Sequence, residues 1–224
     1  MDATPRFDIY APIHKALRRF MTDTLHRLSS LDLEDSADID AALGQLERLL
    51  DAARRHLQHE NEFIHPVLER HRTGASQRIA TEHGEHLDAI ATLHAQAEAL
   101  RVDRSATSAH LLYRQLAAFI AENFEHMDGE ETRHNQLLWA SCSDDDLQAI
   151  EGCILSTIGP QEMSLWLRWM LPAFNPTERV KLVRGLPPEV RPAVMAQARA
   201  ALDDRDWAKL CQGLGQPPVP GLVE

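Results

Sequence analysis

The chain has 224 residues, 44% of them hydrophobic, enough to fill one domain, or a domain with a helical extension, without disulfide staples. A formal net charge of -11 argues against an electrostatic grip on nucleic acid and fits poorly with an anionic membrane surface. No apolar run is long enough to span a bilayer and no basic-apolar-small leader opens the chain. Three widely spaced cysteines without a CxxC imply reduced thiols, so a cytoplasmic protein is expected.

Sparse glycine and long mixtures of Ala, Leu, Glu, Arg and Gln predict an all-α protein. The first helix starts near Pro12 and carries Leu17, Met21, Leu25 and Leu28 on one face. The second runs from Ser36 to about Arg70, with Leu46, Leu49, Phe63 and Val67 inward and a kink or early end at Pro66. The third spans Ser76 to Val102 with Ile79, Ile90, Leu93 and Leu100 inward. The fourth spans Thr107 to Ala140 with Leu112, Leu116, Phe119 and Leu137 inward. Short connections between long helices predict an antiparallel up-down four-helix bundle over residues 1–142. Residues 143–224 then form a proline-punctuated extension of shorter helices. Within it, the apolar segment Leu165 to Phe174 packs on the bundle or makes a homodimer contact, and QPPVPGLVE reads as a loose tail.

Twelve histidines are the anomaly, all of them before residue 135. At about 100° per residue, His56 falls midway between Leu49 and Phe63 on the buried stripe, and Glu60 follows one turn later. His126 and Glu130 repeat that spacing between Phe119 and Leu137. His14 lies on the stripe of Leu17 and Met21, and His83 and His86 on that of Ile90 and Leu93. An isolated carboxylate in an apolar core is costly, whereas two among imidazoles are tolerable when dications oppose their charge. Imidazole with carboxylate suits iron or zinc, and facing helices of a bundle are where di-iron carboxylate sites are built. His59 reads as a half-exposed surface residue, and His65, about 180° from His56, as facing away. His94 is too distant to join, and His134, His110, His71 and His26 read as solvent or rim positions. Asn123, one turn before His126, is a candidate hydrogen-bond partner for a ligand.

The pattern of His14, HLQHE (residues 56–60), EHGEH (82–86) and HMDGE (126–130) resembles the hemerythrin-like, HHE cation-binding, family. ENEFIHP also matches that family's acidic-aromatic-proline ending of the second helix. The resemblance covers residues 8–140 and implies two irons bridged by Glu60 and Glu130. His14, His56, His126 and one or both of His83 and His86 would cap them, with zinc or another divalent metal able to substitute. Oxygen carriers of the family have HxxxH on the third helix where this chain has HxxH, which counts against reversible oxygen carriage. The function implied is binding, sensing or storage of iron or of a small ligand such as dioxygen or nitric oxide. The alternatives are a di-iron oxidoreductase acting on peroxide or nitric oxide, and a helical interaction module with a structural metal. No nucleophile triad, P-loop or GxGxxG supports catalysis by side chains alone.

Overall fold

Helix is the only regular secondary structure in residues 6–217, the span that the computed structural model describes. The expected tail lies outside these residues from position 218 onward. The helices are α1 (Ala11–Ser29), α2 (Ser36–His59), α3 (His65–His71), α4 (Gln77–Asp103), α5 (Ala106–Gly129), α6 (Asn135–Ser141), α7 (Asp144–Thr157), α8 (Pro160–Ala173), α9 (Pro176–Gly185), α10 (Arg191–Ala201) and α11 (Asp204–Leu214). Their ends follow local chemistry. The Asp8 carboxylate accepts the N–H groups of Tyr10 and Ala11 at 3.0 Å each where α1 begins. Asp35 caps α2 through the N–H of Ala37 at 2.8 Å, and Ser105 caps α5 through that of Ser108 at 3.0 Å. No described helix is long and apolar enough to cross a membrane.

The described residues divide into two compact units, 6–11 with Phe20–Thr157, and Pro12–Arg19 with 158–217. In the first, the stripe positions Leu46, Leu49, Ile90, Leu93, Leu116 and Phe119 are all buried. A cluster of Ile9, Tyr10, Ile64, Val67, Leu68 and Leu138 takes in Leu147 of α7. In the second unit, Leu167 and Leu171 of α8 pack with Val183, Val194, Ala198, Leu202 and Leu210. Arg179 is buried there, donating from Nε to the Leu171 carbonyl at 2.6 Å and pairing with Asp206 at 2.8 Å.

The second and fourth predicted helices are continuous but not α-helical throughout. A five-residue π-turn, Glu60–Ile64, joins α2 to α3, and another, Glu130–His134, joins α5 to α6. The N–H of His65 bonds the Glu60 carbonyl, and that of Asn135 bonds the Glu130 carbonyl. Pro66 has no N–H for the α-ladder, so widening the turn just before it sacrifices little. In the second case Asn135 compensates with its side chain, donating to the Glu131 carbonyl at 3.2 Å and to Asp8 at 2.9 Å.

Each π-turn inserts one residue, about 100° of helical phase, and so corrects the sequence expectations below it. Ile64 is buried where Phe63 was expected, and Leu138 where Leu137 was expected; Phe63 and Leu137 are only half-buried. His65, predicted to face away, is turned inward and buried, and so is His134, predicted at the rim.

Candidate metal centre

The inward faces of α2, α4 and α5 bring imidazoles and carboxylates together in the first unit. Glu60 and Glu130 are 1% and 0% exposed, and His56, His83, His86 and His126 are buried with them. His56 Nε2 lies 3.1 Å from Glu60 Oε1, and His83 Nε2 lies 3.4 Å from Glu60 Oε2. His126 Nε2 is 3.4 Å and His83 Nε2 3.8 Å from Glu130 Oε1. One donor atom each from Glu60, His83, His126 and Glu130 fall within 4.8 Å of one another, and the same holds for His56 with the two glutamates. Both carboxylates therefore belong to both groups, an arrangement suited to two neighbouring cations.

The ring tautomers follow from the outer contacts. His126 Nδ1 is 2.9 Å from Glu82 Oε2, and an ionised carboxylate only accepts, so this nitrogen carries a proton. His83 Nδ1 donates to Asn61 Oδ1 at 2.8 Å. Both Nε2 atoms then point to the centre, 3.1 Å apart. Two lone pairs at that separation repel unless a cation lies between them. The spacing is roughly that of two nitrogens each about 2.1 Å from one ion across a near-right angle. The donor set fits iron or zinc, with no thiolate among these groups.

Without metal, a proton fills the role. Burial lowers the His126 pKa, but Glu130, Glu60 and the bond to Glu82 outweigh it and hold it at about 9. His86 moves the other way, to about 4, through burial and the neighbouring His126 and His83 rings. His86 stacks edge-on against His126 at 4.8 Å and Phe119 at 5.9 Å, but it joins none of the donor groups. Of the HxxH pair, only His83 is brought in. His14 is fully buried on α1, in the stretch that belongs to the second unit.

Asn123 does not turn to the centre; its amide donates back to the Phe119 carbonyl at 2.8 Å. His59 is half-buried and meets Thr157 Oγ1 at 3.1 Å. Glu82 and Asn61 had no role assigned from the sequence, because each acts on a ring of another helix. Burial raises the Glu82 pKa, but the His126 N–H and the Arg78 guanidinium outweigh this and hold it below the usual carboxylate range. Glu82→Gln is expected to weaken metal affinity roughly 10–100-fold, the usual cost of losing a carboxylate behind a ligating imidazole. A chelator-competition titration at constant helix content checks this, and an unchanged affinity would show that Glu82 does not position His126.

A family model described as the hemerythrin HHE cation binding domain matches residues 7–137. The chain belongs to this family. Among curated proteins and solved structures, none matches the chain. The hemerythrin HHE match runs from just before Tyr10 to within α6, so it takes in the grouped imidazoles of α2, α4 and α5 and both π-turns.

Proposed function

We propose that this hemerythrin HHE protein holds two irons bridged by Glu60 and Glu130, and that it binds, senses or stores iron or a small ligand such as dioxygen or nitric oxide. In this reading α1, α2 with α3, α4, and α5 with α6 form an antiparallel up-down bundle. His56 with Glu60 and Glu130 holds one ion, while His83 and His126 hold the other with the same glutamates. The observation that carries the reading is that two buried donor groups share both carboxylates. Bound iron supplies the positive charge that two core carboxylates require, together with a coordination position for a small ligand. The protein's own contributions are the fixed Nδ1–H tautomers of His83 and His126 and the exclusion of water by the stripe residues. His86, buried beside His126 and outside the donor groups, leaves the second ion one histidine poorer, in keeping with sensing or storage over reversible oxygen carriage.

The purified protein is expected to contain close to two irons per chain and to show near-ultraviolet absorption of bridged iron in air. Glu60→Ala should lose that absorption. A wild-type protein that takes up no transition metal after anaerobic iron loading would end the proposal. Stoichiometric ligand binding without multiple turnover in the presence of a reductant separates it from an oxidoreductase.

A further inference from the structure

Besides His86, the two donor groups above leave the inward imidazoles of His65 and His134 unused. His65 and His134 lie directly below the metal-facing glutamates because both π-turns advance the helical phase by a residue. One donor atom each from His65, Glu130 and His134 fall within 4.8 Å of one another, and all three residues are buried. The rings of His65 and His134 meet edge to face at 5.9 Å. Nε2 of His65 is buried without a hydrogen-bond partner, an arrangement that native interiors rarely tolerate. His134 Nδ1 faces the buried hydroxyl of Tyr10 at 3.3 Å, which places one more oxygen beside the group.

We infer a third cation position, formed by His65, His134 and Glu130 beside the iron pair, that takes a divalent transition metal. Two imidazoles and one carboxylate are the protein donors of mononuclear non-haem iron(II) sites and of His₂Glu zinc sites. Such a set keeps coordination positions open, which water or the Tyr10 oxygen can occupy. Magnesium and calcium, which demand oxygen ligands, are poorly served by it. The position shares one ligand with the proposed pair, Glu130, whose two oxygens must be divided among the neighbours, and the His65 ring stacks on His83 at 5.0 Å. The third ion therefore binds more weakly than the first two.

The test is an anaerobic titration of the full chain with iron(II), and separately with zinc(II), counting bound metal in wild type, His65→Gln and His134→Gln. Three equivalents in wild type, the last at least tenfold weaker, and two in each variant with the near-ultraviolet spectrum of the pair retained, are expected. Saturation of wild type at two overturns the third position and leaves the pair standing. Loss of a pair ion in the variants overturns it as well, because the two histidines then serve the pair. No binding in wild type takes both down together. Anomalous scattering from zinc-soaked wild-type crystals decides the matter even where a variant fails to fold. A peak among His65, His134 and Glu130 is expected, and peaks at the two glutamates alone would overturn the inference.

Discussion

Glu130→Gln is expected to lower transition-metal affinity by well over the roughly 100-fold that marks the upper cost of losing an outer-shell partner. Glu130 is fully buried and belongs to every donor group in the first unit, so no other single carboxylate removes as much ligation. Glutamine keeps the side chain's size and an acceptor for the His126 N–H while deleting the charge that attracts the ions. The metal-free variant should therefore fold normally and melt close to wild type. What it loses is the stabilisation by ligand. Metal at a hundredfold excess over its Kd contributes about 2.7 kcal/mol, which for a chain of this size corresponds to a rise in Tm of roughly 5–11 °C. Calorimetry with and without a chelator should show that rise in wild type and not in Glu130→Gln. An equal rise in both would place the metal elsewhere.

Metal uptake at pH 7 should expel about one proton per chain from His126. With its pKa held at about 9, this imidazole is cationic at neutral pH, and its Nε2 must lose the proton before it can ligate. Apparent affinity should rise about tenfold per pH unit between pH 7 and 9 and flatten above, as far as this group controls it. Calorimetric titration in buffers of different ionisation enthalpy counts the proton, and a heat independent of buffer would refute the assignment. In the metal-free protein the sign differs by group. The raised His126 pKa contributes stability that is complete below pH 6.5 and fades as pH rises through 9. His65 and His86, both held at about 4, act oppositely. Burial and neighbouring imidazoles keep them neutral, so their contribution is present above pH 6.5 and is lost as pH falls towards 4. The metal-free chain should thus be most stable near pH 6.5, losing stability both as pH falls towards 4 and as it rises towards 9.

Reading the sequence at 100° per residue locates the inward stripe of each long helix as far as its glutamate, and the structure buries Leu49, His56, Phe119 and His126 along it. Beyond Glu60 and Glu130 the same reckoning misplaces Phe63, His65, His134 and Leu137, each by the one residue that a π-turn inserts. Pro66 signals a disturbed helix in the first case, but nothing in EETRHNQ marks the second. Asn61 and Glu82 were invisible for a different reason. Their partners lie on other helices, so their roles depend on how the helices pack and not on spacing within one segment. The division of the apolar segment is likewise tertiary: Leu167 and Leu171 face a core assembled from α9, α10 and α11.

Glu82 touches the buried centre and is also reached by water, with 22% of its side chain exposed and Arg78 gripping it at 2.7 Å. The Nδ1 proton of His126 is held across 2.9 Å by a carboxylate that is itself anchored at the solvent boundary, which keeps Nε2 turned towards the buried glutamates. The orientation of an enclosed ring is thereby governed by a side chain that bulk water also touches.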